Sequence, residues 1–282
     1  MKLRICSFSI AFVAFTALFG WAQNPGTMSM PFQLNNGYLV LAKGSVGGLN
    51  NLTFLLDTGT SRTLVDTRIA KRLHLEGAAH SLTVFDREVE GRLVVLPDLQ
   101  LGAIQAVGPP VIAMDLSGVA QRLGIYTDAI IGMDLLRRGT FSIDYHSKRI
   151  WFDSREPMEP DLALDTKNQP YLIVIARIDG LPVRLMIDTG CETGMLFANR
   201  LPSGLKKEYL QASRGLTVVG ESRLTQIVSV RLAVGTSPAH RVIFPVVETG
   251  NNDMGYDGVI GVRALHASRI EFNFERMTIS WK

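Results

Sequence analysis

The chain has 282 residues, a mass of 31.0 kDa and a formal charge of +3 at neutral pH. That length suits two units of ordinary domain size, and 46% apolar with 20% charged residues excludes a disordered or fibrous chain. No basic run and no interleaving of aromatic with basic residues occurs, so nucleic acid is not an expected partner.

The N-terminus reads as an export signal. Met1–Arg4 is a short basic start, and Ile5–Trp21 then runs 17 residues without a charge. Gly20-Trp21-Ala22 places small residues where a signal peptidase reads, and a polar stretch follows, which predicts a signal peptide over 1–22 and a periplasmic or secreted protein. A retained membrane anchor is the competing reading, because 17 residues reach the lower limit of a spanning helix. Ser7, Ser9, Thr16 and the missing basic stop-transfer cluster count against it, so no stable membrane partner is expected. Beyond this segment Cys191 is the only thiol, which leaves no internal disulfide. The five histidines never fall at metal-ligand spacing, and GxSxG, P-loop and GxGxxG patterns are missing; no metal and no cofactor is expected.

The remaining elements, taken in chain order, are mostly strands. Tyr38–Ala42 is rich in β-branched and aromatic residues and leads through a glycine-containing turn to an apolar run ending at Asp57. A short helix is plausible over Asp66–Leu75, then a hairpin over Leu82–Val95 turning at Gly91, and a second short helix over Met133–Arg138. Phe141–Tyr145 alternates with period two and, with a strand ending at Phe152, predicts a closing hairpin. Residues 154–170, acidic and proline-containing, read as a linker between a unit at 31–153 and a unit at 171–282. The second unit repeats the series: a strand over Tyr171–Ile178, an apolar run to Asp188, a hairpin over Leu216–Val230 with Gly220, a short helix over Val262–Ala267 and a closing hairpin through Ile270–Phe274 to Trp281. The fold is expected to be mainly β.

The repeat has a period near 130 residues. Phe54-Leu55-Leu56-Asp57-Thr58-Gly59 corresponds to Leu185-Met186-Ile187-Asp188-Thr189-Gly190 at an offset of 131, and Ile130-Ile131-Gly132 corresponds to Val259-Ile260-Gly261 at 129. One Asp-Thr-Gly is weak evidence, expected by chance in roughly one chain of this length in twenty. Two, each about 75 residues before an apolar-apolar-Gly, form a pattern. Each strand would deliver its aspartate to a tight turn at Gly59 or Gly190, where a residue tolerant of unusual φ lets the backbone fold onto the carboxylate. Thr58 and Thr60 supply hydroxyls to hold it.

Two such units related by an approximate two-fold would set Asp57 beside Asp188. Carboxylates that close cannot both ionise easily, so the pair shares a proton. The ionised member then serves as general base on a water, and the protonated member donates to a substrate carbonyl. This split pair is a known pattern of aspartic proteases.

Leu55–Ser61 (LLDTGTS), Met186–Gly190 (MIDTG) and the landmarks IIG and VIG resemble the retropepsin and pepsin group of aspartic proteases, in particular bacterial retropepsin-like proteins with two lobes in one chain. The resemblance implies duplicated acid-protease β-barrel lobes around an interlobe cleft, Asp57 and Asp188 as the catalytic pair, and a peptide or protein substrate. It also implies that Thr58 and Thr189 bond across the interface, that Gly132 and Gly261 end strands behind the aspartates, and that Thr60 occupies the supporting position after the glycine. The two hairpins are candidates for flaps over the cleft. A chain carrying both units needs no second copy, so a monomer is expected.

The second motif departs from the family at Cys191, where a hydroxyl or alanine is usual, and at Glu192, an extra acid beside the pair. A thiol is a weak hydrogen-bond partner; Cys191 reads as a small filler in preference to a reactive thiol. These departures motivate the alternative of a catalytically weak or inactive peptide-binding protein of the same fold.

Overall fold

The computed structural model describes residues 29–84, 87–152, 158–159, 162–165, 170–205, 209–210, 215–217, 220–222, 224–248 and 254–282. The expected signal peptide and much of the 154–170 segment lie outside the described residues. What is described is mainly β, with a few short helices.

Strand Leu39–Val46 turns through Gly47 and Gly48, both at positive φ, into Leu49–Leu56, with which it pairs antiparallel. Leu49–Leu56 then runs parallel to Ala129–Ile131, with Leu56 opposite Ile131. From there the sheet continues through Leu64–Asp66, Pro110–Met114, Arg87–Val95 and Gly77–Val84. Phe54, Leu55 and Leu56 are buried in succession, not alternately, because this strand is covered on both faces.

The second sheet follows the same order and senses of pairing. Ile173–Ile178 pairs antiparallel with Leu181–Asp188, which runs parallel to Gly258–Gly261, followed by Gly194–Phe197, His240–Val247 and Leu224–Val234. A further pairing of Ala176 with Val234 closes this sheet into a β-barrel.

The closing hairpins behave differently from expectation. Phe141–Asp144 with Arg149–Phe152, and Arg269–Asn273 with Thr278–Trp281, form as read from the sequence, but they do not finish two separate units. Phe141–Asp144 pairs directly with Arg269–Asn273, Phe141 opposite Phe272, so both hairpins belong to one sheet. The Phe141 and Phe272 rings stack at 4.9 Å between centroids. Leu162–Ala163, inside the expected linker, adds an edge strand through Leu162 opposite Ile279, so this part is sheet and not bare spacer. One apolar cluster runs from Phe32 to Ile279 across both halves.

The short helices fall at Thr67–Arg72, Met133–Leu136 and, as a 3₁₀ turn, Val262–Leu265, within the expected ranges. Asp66 caps the first by accepting from Arg68 N. A further helix, Ser117–Leu123, was not expected from the sequence. The first hairpin is longer than expected: Gly77–Val84 pairs with Arg87–Val95 along its whole length, with residues 85–86 outside the described set. Gly91 does not turn it. Gly91 lies in mid-strand opposite His80, where an added Cβ would meet Ile112 Cγ2 at 2.6 Å. In the second half Gly215–Thr217 pairs with Gly220–Ser222, Thr217 opposite Gly220, with residues 218–219 outside the described set.

Candidate active site

Each aspartate stands at the end of an apolar strand whose position is fixed twice. Four residues before each aspartate, in mid-strand, Asp128 Oδ2 accepts from Thr53 N at 2.8 Å, and Asp257 Oδ2 accepts from Arg184 N at 2.8 Å. Asp128 N and Asp257 N return the bond to Thr53 O and Arg184 O, each at 2.7 Å. At the near end, Asp57 N donates to Ile131 O, and Asp188 lies opposite Gly261 in the parallel ladder. Asp128 and Asp257 precede the two apolar-Gly landmarks at equal distance, a signal present in the sequence that the motif reading passed over.

The two turns are joined through their threonines. Thr58 Oγ1 donates to Ile187 O at 2.9 Å and accepts from Thr189 N at 3.0 Å. Reciprocally, Thr189 Oγ1 donates to Leu56 O at 3.0 Å and accepts from Thr58 N at 3.1 Å. Both threonines are fully buried, and the hydroxyl and backbone amide of each has a partner across the interface. Thr58 therefore bonds across to the other strand and does not hold the carboxylate of Asp57, a task that falls to its neighbours.

Those neighbours are backbone amides and one hydroxyl. Gly59 N donates to Asp57 Oδ1 at 2.8 Å, and Gly190 N donates to Asp188 Oδ1 at 2.7 Å. Thr60 Oγ1 adds a bond to Asp57 Oδ2 at 2.9 Å. The glycines are needed for space: neither lies at positive φ, contrary to the sequence-based expectation. A Cβ on Gly59 would stand 2.5 Å from Asp188 Cγ, and one on Gly190 would stand 2.9 Å from Asp57 Cγ. Each glycine thus lies against the other turn's carboxylate, which sets the two carboxyls beside one another, close enough for the Asp57 charge to act on Asp188.

The electrostatics follow from this crowding. Burial raises both carboxyls above the ordinary range, and Asp188 stands well above it because the neighbouring Asp57 charge adds to desolvation. For Asp57 the rise is opposed by the Thr60 hydroxyl and by backbone donors. The Cys191 thiol is pushed up by burial and by Asp188, so it stays protonated. Glu192 pairs with the Arg263 guanidinium, which also donates to Asn36 O at 3.1 Å. The Tyr38 phenol is raised by burial and, to a smaller extent, by its acidic neighbours of the second turn, and so stays protonated.

Of the residues singled out from the sequence, Asp57, Thr58, Gly59, Thr60, Asp188, Thr189, Gly190 and Cys191 are all brought together here. Gly132 and Gly261 press on the turns from behind: a Cβ on Gly132 would stand 2.7 Å from Thr60 O, and Gly261 lies against Cys191 O. The arrangement defines a paired-carboxylate centre in a mainly β protein. Residues 42–135, about a third of the chain, match the family described as aspartyl protease, which supports a hydrolytic, protease-like function. The matched segment contains Asp57–Thr60 and Ile130-Ile131-Gly132 and stops short of Asp188. No curated protein matches the chain.

Proposed function

We propose that the protein is an exported aspartic endopeptidase built from two copies of one unit, 31–153 and 171–282, acting as a monomer on peptide segments held between them. The observation that carries this reading is the locking of the two turns through their threonines, with Gly59 against the Asp188 carboxyl and Gly190 against the Asp57 carboxyl. Two sheets with one strand order, each delivering one aspartate, support the duplication. In the reaction the ionised carboxylate removes a proton from a water as its oxygen bonds to the scissile carbonyl carbon. The protonated carboxyl gives its proton to the carbonyl oxygen, and a neutral tetrahedral diol forms. Proton transfer to the amide nitrogen then lets the C–N bond break, releasing acid and amine with no covalent enzyme intermediate.

The test is cleavage of an unfolded protein from about pH 3 to pH 7 by the wild type, Asp57→Asn and Asp188→Asn. General acid–base contributions predict a loss of roughly 10²–10⁴-fold in each variant. Full activity in either variant overturns the dyad. A second reading, a peptide-binding protein with little turnover, draws on Asp188 having no hydroxyl donor equivalent to Thr60; peptide binding by folded wild type without cleavage is its signature.

A further inference from the structure

The two turns hold their carboxylates unequally. Both aspartates accept one glycine amide, at 2.8 and 2.7 Å. Beyond that, Asp57 receives the Thr60 hydroxyl at 2.9 Å, whereas the residue in the same place of the second turn is Cys191, which gives no side-chain bond to Asp188. A donated hydrogen bond favours the ionised form of a carboxylate, and a thiol is a poor donor. The surroundings act in the same direction. Asp188 is faced by Asp57 from the first turn, by Tyr38 ahead of strand Leu39–Val46, and by Tyr256 ahead of strand Gly258–Gly261. Glu192 follows on its own turn, with its charge offset by Arg263 from the 3₁₀ turn Val262–Leu265. Burial and the Asp57 charge disfavour a second negative charge at Asp188, and both phenols stay protonated beside it.

Resting on the reading of the pair as a catalytic dyad, we propose that Thr60 is a positioning residue that fixes the shared proton on Asp188 and leaves Asp57 as the base. Asp57 then activates the water, and Asp188 protonates the carbonyl oxygen. Thr60 touches no substrate in this scheme; it acts through Asp57. The asymmetry also spreads the pair's two ionisations apart, which widens the pH range over which one carboxyl is charged and the other is not.

The experiment follows the carboxyl carbons of ¹³C-labelled aspartate by NMR across pH in wild type, Thr60→Ala, Cys191→Ser and the exchanged variant Thr60→Cys with Cys191→Ser. Asp57→Asn and Asp188→Asn assign the signals. In the wild type the Asp57 carboxyl should lose its proton at the lower pH. Thr60→Ala should raise that lower step, and Cys191→Ser should lower the upper step, each by about one pH unit. The exchanged variant should move the proton toward Asp57. The kcat/KM profile should narrow from the acid side in Thr60→Ala and from the alkaline side in Cys191→Ser. A wild type in which Asp188 ionises first, or steps that stay in place in both single variants, overturns the proposal. The NMR titration needs no turnover, so a protein that binds without cleaving still decides the proton's position and separates that result from a failure of the protease reading. Cys191→Ser differs by one atom, which keeps the test informative if Thr60→Ala fails to fold.

Discussion

The two Asp-Thr-Gly turns share a backbone and differ one step beyond it. Both use the threonine cross, both have a glycine against the opposite carboxylate, and both hang from a strand anchored by an aspartate, Asp128 or Asp257. Around the first turn, Asp134 Oδ1 accepts from Thr63 N and Thr63 Oγ1 at 2.9 and 2.7 Å, and Thr63 Oγ1 accepts from Gly132 N. Around the second, an exposed Glu192–Arg263 pair stands in the equivalent region. The common parts are those that bring the carboxyls within reach of one another. The parts that differ decide how each carboxyl is solvated, so distance and proton affinity are set by separate residues.

The comparison breaks most visibly if the halves are independent. Phe141 and Phe272 stack in the shared sheet, and Phe141 also meets Phe274 at 6.1 Å. Phe272→Ala is expected to cost about 3–5 kcal/mol. Trp151 and Trp281 lie one in each hairpin, so urea unfolding followed in two single-tryptophan forms reports each half. A shared sheet predicts coincident transitions that move together in Phe272→Ala. Two separate midpoints, with only the Trp281 signal displaced, would show that the sheet does not couple them.

That sheet is also where the sequence is least informative. The hairpins are legible because alternation and a tight turn are local signals, whereas the pairing of Phe141 with Phe272 joins residues far apart and leaves no trace in either segment. Helix Ser117–Leu123 escaped notice because its N-cap is Leu116, which offers no side-chain cap. Gly91 reads as a turn residue because glycine marks both turns and close strand contacts, and only the presence of Ile112 behind it separates the two. The paired aspartates were legible because the motif occurs twice in register. The reason for their glycines was not, since it depends on a carboxylate 129 residues away for Gly59 and 133 for Gly190.

Gly59→Ala and Gly190→Ala sharpen the comparison at the next scale. Overpacking in a closed site costs about 1–3 kcal/mol, and the closer approach at Gly59 predicts that Gly59→Ala is the more harmful. Thermal melts rank the two, and equal costs would mean that the turns relax alike. The pH dependence of stability probes the same crowding. Asp188 binds its proton more tightly folded than unfolded, so its contribution is present in acid and is lost as pH rises through its folded value. Stability should therefore decline above the ordinary carboxylate range, with a slope of up to about 1.4 kcal/mol per pH unit for this one proton. Asp188→Asn should flatten that decline; an unchanged slope would assign it to other groups.

The smallest effect belongs to the feature that looks strongest on paper. Glu192 and Arg263 make a close ion pair beside the dyad, yet their side chains are 48% and 52% exposed. Water screens such a pair, and ordering two long side chains offsets much of the attraction, so Glu192→Gln should change stability by less than about 1 kcal/mol. Arg263 keeps its bond to Asn36 O, which holds the start of the first half against the second without any help from Glu192. The variant does, however, remove a negative charge from the turn that carries Asp188, and losing a nearby like charge favours the ionised carboxylate. Glu192→Gln should then move the upper ionisation of the pair toward lower pH while leaving the melting temperature almost unchanged. A large loss of stability with no displacement of that ionisation would mean that the pair is a structural clamp and plays no part in setting the proton affinity of Asp188.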